Sequence, residues 1–300
     1  MVPSGGTNQT VLSCKPSIEK ENKFVIFVFL FLLYAMNSMF DRINHPKMEW
    51  YREVYQGSKL WDGIEPLKDK SVIVYCEQGF GDVIQMARYF RPLKERGCWL
   101  ILHCDEALAK LFLGMGYINE IVLKSNDVLP NHDFHILSLS LCELLGDPPT
   151  DYPYINVSES IDLGFSGAVG LAWEGNPLQA NNSARSCPLQ PLAKYFKNHK
   201  LVMLQKQIHS HELAKGIDEI EIYGADLTDF YETAKLINSV DLVVSVDTGV
   251  LHLAGAMGKK SVGLLCADHC ERWNVRNWYP SIRLLSQETP GSWWSVIKRI

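Results

Sequence analysis

The chain has 300 residues, of which 47% are hydrophobic and 21% charged, and a formal net charge of −5. That length and composition suit a globular protein with two ordinary domains and a sizeable core. The acidic balance excludes a nucleic-acid binder with a broad basic face, but leaves room for a local basic pocket that holds phosphate.

The eight cysteines form no CxxC pair, and none has the Cys/His spacing of structural zinc. Cys266, His269 and Cys270 come nearest. Structural zinc is therefore not expected; nor is any cofactor. Scattered cysteines suit a reducing compartment, so the cytoplasm is the expected location.

Residues 1–23 are polar and read as disordered. An unbroken apolar run, Phe24–Met36, follows, and Met39 and Phe40 extend it beyond Asn37 and Ser38. A spanning helix needs about 20 apolar residues, with a lower limit near 17. Phe24–Phe40 therefore reads either as a marginal membrane anchor, giving membrane association, or as a buried or non-native leader.

Regular alternation begins at residue 71. Ser71–Cys76 reads as a strand, Val83–Arg96 as a helix stopped by Gly97, and Trp99–Cys104 as a second strand. A helix near Glu106–Leu113 and strands at Glu120–Leu123 and His135–Leu137 complete the first set. The proline-rich stretch Asp147–Pro153 continues neither a helix nor a central strand and marks a boundary. Strand Ala168–Trp173, helix Leu189–Phe196, strand Lys200–Gln205, helix Ile208–Lys215 and strand Ile220–Tyr223 then follow. Helix Asp229–Ser239, strand Asp241–Ser245, helix Val250–Met257, strands Ser261–Leu265 and Ile282–Leu285, and a last helix from Trp293 end the chain. The expected organisation is an N-terminal segment over 1–49 and two α/β domains over 50–160 and 161–300, facing across a cleft.

Glu77-Gln78-Gly79-Phe80-Gly81-Asp82 joins the first strand to its helix. Gly79 and Gly81 let the backbone approach a ligand, but the spacing is not that of a dinucleotide fingerprint. Asp82 fits two roles, a helix cap or a general base. Asp247-Thr248-Gly249 lies between an apolar strand and a helix that carries His252, Ala254 and Gly255. A strand, a tight turn and a helix N-terminus make an anion site, where backbone N–H groups and Thr248 can hold a diphosphate. The same residues also fit an Asp cap on an ordinary core helix, with His252 a satisfied core residue.

The loop from Trp173 through Asn176 to Arg185 is long and polar. Arg185 can hold a phosphate with its fork of donors, and Lys206 can do so as a point charge; both also fit solvated surface charges. Trp273, Trp278 and Tyr279 can stack on a sugar or base, whereas Trp293 and Trp294 are expected to pack one domain on the other.

Taken in order, these segments resemble glycosyltransferase family 9 and the heptosyltransferase superfamily, in the form often found after tetratricopeptide repeats. The resemblance rests on Trp61-Asp62-Gly63, Glu77–Asp82 with Gln85 and Ala87-Arg88-Tyr89, Gly170–Trp173 with Gly175-Asn176-Pro177, and Arg185-Ser186. Leu204-Gln205-Lys206, Asp229-Phe230 with Thr233-Ala234, Asp241 through Ala254 and Trp278–Ser281 extend it, so that it covers about residues 50–300. It implies a GT-B fold, with an acceptor-side domain followed by a nucleotide-sugar donor domain. It also implies inverting, metal-independent sugar transfer to a glycan or other hydroxyl acceptor. Asp82 then falls on the family's proposed base, and Asp247, Thr248, Gly249 and His252 on its donor-diphosphate motif. Arg185 falls near a phosphate-contacting position. The chain lacks tetratricopeptide repeats, and Asn182 and the stretches Gly263–His269 and Glu271–Asn277 depart from the family pattern. A non-catalytic GT-B module and a nucleotide-sugar epimerase are the alternatives. The sequon Asn181-Asn182-Ser183 lies in the proposed active-site loop, where a glycan would obstruct the cleft; this too favours the cytoplasm.

Overall fold

Short, nearly continuous apolar runs become parallel strands, because strands buried on both faces need no polar alternation. The structure, a computed structural model, describes residues 43–44, 48–55, 57–126, 128–146, 149, 151–179, 181–206, 214, 217, 220–223, 226–270, 272–275 and 277–300. The apolar run Phe24–Phe40, and all but Ala214 of the expected helix Ile208–Lys215, lie outside these residues. Among the described residues, no helix is long and apolar enough to cross a membrane.

The first sheet holds β1 (Lys59–Leu60), β2 (Ser71–Tyr75), β3 (Trp99–Cys104), β4 (Glu120–Leu123) and β5 (Phe134–Leu137). Its order is β1-β5-β2-β3-β4, and every pair is parallel. A helix, α1 (Glu49–Tyr55), precedes it. The expected single helix over Val83–Arg96 is instead broken into α2 (Phe80–Met86), a 3₁₀ turn (Ala87–Tyr89) and α3 (Phe90–Lys94). Pro92 explains the break, since it has no N–H for the carbonyl of Arg88 and its ring crowds that carbonyl. After β3 comes α4 (Glu106–Leu113), capped by the Asp105 carboxylate on Ala107 N–H at 3.0 Å. After β5 comes α5 (Leu141–Leu145).

The second sheet begins with β6 (Val169–Ala172), followed by α6 (Asn182–Arg185), α7 (Leu189–Tyr195), β7 (Leu201–Met203) and β8 (Ile220–Ile222). Next come α8 (Phe230–Ser239), β9 (Leu242–Val246), α9 (Gly249–Ala256) and β10 (Ser261–Leu265). The chain ends with α10 (Arg272–Val275), β11 (Ile282–Ser286) and α11 (Trp293–Ile297). The order β11-β10-β9-β6-β7-β8 is wholly parallel. It is the doubly wound Rossmann arrangement, with the chain reversing direction across the sheet between β6 and β9.

Trp293 lies in the apolar layer between the second sheet and α7, and Trp294 is exposed. Neither packs one sheet's layer on the other, contrary to expectation. That junction is made elsewhere. A continuous core joins Trp61, Val74 and Ile84 to Val243, Leu251 and Tyr279. Buried Arg88 donates to the carbonyls of Gln85 and Trp278 at 2.9 and 3.0 Å, and to the Tyr154 hydroxyl at 3.3 Å. Its guanidinium also stacks on the rings of Tyr154, Trp278 and Tyr279, at 4.8 to 5.0 Å. Lys110 on α4 pairs with Glu232 on α8 at 2.6 Å.

Candidate functional site

In open α/β sheets, ligands bind outside the carboxyl ends of the strands where the strand order reverses. In the second sheet that point lies between the exits of β6, at Trp173–Gly175, and of β9, at Asp247–Gly249. In the first sheet it lies between β2 and β5, beside Glu77–Asp82. The two points meet because α2 packs directly against α9. Gly81 permits the approach, since a Cβ there would stand 2.6 Å from Cδ2 of His252. Phe80 and Phe230 meet edge to face, with centroids 5.1 Å apart, beside Gly249.

Gln78 takes a left-handed φ of 66°, which turns the chain into α2. Gly79 is the N-cap of α2. Asp82 sits in the first turn and reaches back to accept from Gly79 N–H at 3.1 Å. Its other oxygen, Oδ1, accepts from Nη1 of Arg272 on α10. Buried Glu77 accepts from Leu139 N–H at 3.2 Å, and its own N–H donates to Ser138 at 3.1 Å, fixing the β2 exit to the β5 exit.

Asp247 does not cap α9; Thr248 does. The Thr248 hydroxyl accepts from Leu251 N–H at 3.4 Å and shares a 2.9 Å hydrogen bond with Ser245. The N–H groups of the first turn, Gly249 and Val250, have no intrahelical acceptor and make the positive end of the helix.

Asp247 is freed from capping and faces His252, with Oδ1 3.5 Å from Nε2. That gap is too long for a good hydrogen bond, and Nε2 is otherwise unsatisfied, so the contact is electrostatic. Nδ1 of His252 is 2.8 Å from the Tyr279 hydroxyl. Burial keeps Tyr279 protonated and depresses His252 against the pull of Asp247. The Asp247 carboxylate beside Nε2 favours the tautomer that carries its proton there, which leaves Nδ1 to accept from Tyr279. Burial pushes the Asp247 carboxyl up, but His252 and Arg272 outweigh it and hold the group well below the usual carboxylate range.

Two arginines complete the cluster. Burial opposes the charge of Arg272, yet Asp82 and Asp247 together raise it above its ordinary value. Burial also depresses Arg185, with Asp247 the main opposing influence. The Arg185 guanidinium lies against Gly175, where any side chain would collide with it. Among the described residues, the Nε atoms of Arg185 and Arg272 are both buried without a partner.

The structure therefore gathers Asp82, Asp247, Thr248, Gly249, His252 and Arg185, with Gly79 and Gly81 as the backbone of the approach. Asn176 is exposed in the β6 loop, where its side chain closes a turn on Leu178 N–H at 3.0 Å. Lys206 is exposed, and its ammonium donates to the Thr228 carbonyl at 3.0 Å. Among the described residues, no contact joins Lys206 to the carboxylates. Two residues without an assigned role prove central. Arg272 joins the cluster through a contact that no local motif signals. Gln205 clamps the β6 exit by accepting from the N–H groups of Trp173 and Glu174 and donating to the Glu174 carbonyl. His269, one of the zinc candidates, has both ring nitrogens engaged, with the Cys266 carbonyl and with Asn274.

Residues 201–291 match the model of glycosyltransferase family 9 (heptosyltransferase). The fold is that of glycosyltransferase family 9. A family 9 glycosyl transferase from Veillonella parvula superposes with a TM-score of 0.56 at 13% identity, covering 75% of this chain and 88% of its own. The E. coli ADP-heptose LPS heptosyltransferase II superposes with a TM-score of 0.54 at 13% identity, covering 72% and 90%. Among curated proteins, the chain is similar to Protein FlbA of Caulobacter vibrioides, 29% identical over 148 residues. That match covers 46% of this chain and 25% of FlbA, so the chain spans about a quarter of that relative's length. The family 9 and GT-B resemblance read from the motifs is borne out, and the family match spans the Asp247 turn, α9 and Arg272.

Proposed function

We propose that the chain is a glycosyltransferase that moves a sugar from a nucleotide-sugar donor to an acceptor hydroxyl, with inversion and without a metal. The observation that carries this reading is the pairing of α2 with α9. It sets a carboxylate from the first sheet, Asp82, beside a helix N-terminus and two guanidiniums of the second.

In this reading the donor diphosphate lies at the Gly249 and Val250 N–H groups, with Arg185 alongside and Lys206 as an exposed cation beyond the end of β7. Asp82 takes the proton of the acceptor hydroxyl. The oxygen attacks the anomeric carbon from the face opposite the diphosphate, the C–O bond to the phosphate breaks, and the configuration inverts. Charge developing on the leaving nucleoside diphosphate is met by the helix N-terminus and Arg185, which are oriented before the reaction and need no reorganisation. The acceptor is a hydroxyl-bearing molecule such as a glycan. Among the described residues no disulfide joins two cysteines, which fits a reducing cytoplasm.

The test takes the full chain and a panel of ADP-, GDP- and UDP-sugars. A ligand present at 100 times its Kd stabilises by about 2.7 kcal/mol, so one nucleotide should raise the melting temperature. Asp82→Asn should lower transfer about 10²–10⁴-fold, the range for general-base catalysis, without loss of donor binding. Unchanged turnover in Asp82→Asn would remove the base assignment. No stabilisation by any nucleotide would favour a non-catalytic module.

A further inference from the structure

Both oxygens of Asp82 are occupied. Oδ2 accepts from Gly79 N–H at 3.1 Å, within its own helix turn. Oδ1 accepts from Arg272 Nη1, a residue 190 positions later in the chain. Asp82 in this arrangement is a poor acceptor for a substrate proton, because the oxygen facing the second sheet is already bonded to a cation.

Arg272 is itself incompletely satisfied. Among the described residues, Nη1 makes one further contact, with the Gln85 side-chain oxygen at 3.4 Å, and Nε is buried with no partner. A guanidinium with unused donors is best matched by the paired oxygens of a phosphate. The charges of Arg272 and Asp247, in the turn before α9, also influence each other. Arg272 thus links the carboxylate that would act as base to the turn proposed to hold the diphosphate. Asp82 and Asp247 both act on Arg185 and Arg272, while burial keeps His252 neutral. An incoming diphosphate would compete with those carboxylates for Arg272.

We propose that Arg272 exchanges partners: it holds Asp82 in the empty site, then turns to a phosphate oxygen of the donor and releases Asp82 Oδ1 to the acceptor hydroxyl. This rests on the donor site proposed above. Arg272 thereby acts as a positioning residue for Asp82, and the base becomes available only after the donor has bound.

Calorimetric titration of the full chain with ADP, GDP and UDP, in a double-mutant cycle, tests the exchange without needing an acceptor. Arg272→Gln should weaken the nucleotide that binds best. Asp82→Asn should tighten it about five- to tenfold by releasing Arg272, and by less than twofold when Arg272→Gln is already present, a coupling of the size usual for linked sites. A merely structural Arg272 would give no such tightening. If Arg272→Gln does not fold, Arg272→Lys, which keeps the charge but loses the fork, takes its place in the cycle. Equal effects of Asp82→Asn in both backgrounds, or an unchanged affinity in the Arg272 variant, would overturn the exchange while leaving the donor site intact. Failure of all three nucleotides to bind the wild-type chain would overturn the donor site and the exchange with it.

Discussion

Gly81 and His252 stand so close that a Cβ on the glycine would be 2.6 Å from the imidazole Cδ2. The contact sets the distance between α2 and α9, and with it the distance between Asp82 and the turn at Asp247. His252 cannot yield, because it is buried between Trp273 and Tyr279, with ring centroids at 4.9 and 5.7 Å. Gly81→Ala should therefore force the helices apart, at an overpacking cost of about 1–3 kcal/mol. Urea denaturation followed by circular dichroism measures it. An unchanged midpoint would mean that the helices are not held at this spacing.

Gly175 stands in a similar relation to Arg185, with a different outcome. The obstructing atoms are the far end of a flexible side chain, so a methyl group should displace the guanidinium and leave the fold intact. Gly175→Ala is expected to weaken nucleoside diphosphate binding roughly tenfold, equivalent to about 1.4 kcal/mol. Its melting temperature without ligand should stay close to wild type. A variant that binds nucleotide as tightly as wild type would show that Arg185 does not touch the phosphates.

The second sheet could be read almost strand by strand from the sequence, because its four inner strands, β6, β7, β9 and β10, are buried on both faces and appear as short apolar runs. The Asp247 turn was legible for the same reason, since strand, turn and helix are local. Other features were not. α1 and β1 are too short to show a period, and β1 has only two residues. The break after Met86 depends on Pro92 within an otherwise helical stripe. Arg272 meets Asp82 across 190 residues, a pairing set by how the two sheets dock rather than by any pattern near either residue. Asp82 and Asp247 were both candidates for helix caps, and the structure separates them. Thr248 takes the cap at α9, while Asp82 reaches back to Gly79 N–H from within α2.

A buried histidine pair predicts how stability depends on pH. His103 and His135 are both buried in the first sheet, where desolvation depresses each to about 4. His103 is hydrogen bonded to Tyr55 on α1 at 2.8 Å, and His135 to Ser58 at 2.7 Å. In the unfolded chain each titrates near 6.5. Above pH 6.5 both states are neutral and the stability is fully present. As the pH falls from 6.5 to 4 the unfolded state binds more protons, so stability is lost, by on the order of 3 kcal/mol per histidine. Urea midpoints measured from pH 7.5 to 4.5 should decline through this window, and His103→Gln should roughly halve the slope. A flat profile would contradict the buried neutral pair.

Gln205 tests how the β6 exit is held. Its side-chain oxygen accepts from the N–H groups of Trp173 and Glu174, and its nitrogen donates to the Glu174 carbonyl at 3.2 Å. The residue is buried, at 3% exposure, so water cannot replace these bonds without opening the sheet edge. Gln205→Ala removes the shared acceptor and should cost about 1–3 kcal/mol, the penalty for leaving a buried polar group unsatisfied. Gln205→Glu keeps the acceptor but sets a second oxygen against the Glu174 carbonyl, so it should recover only part of the loss. The effect should also be local, because the same loop continues through Gly175 to Arg185. Hydrogen exchange at the amides of Trp173 and Glu174 should quicken in Gln205→Ala far more than exchange at β3, an inner strand of the first sheet. Equal acceleration at both places would mean that Gln205 acts on global stability and does not hold the loop.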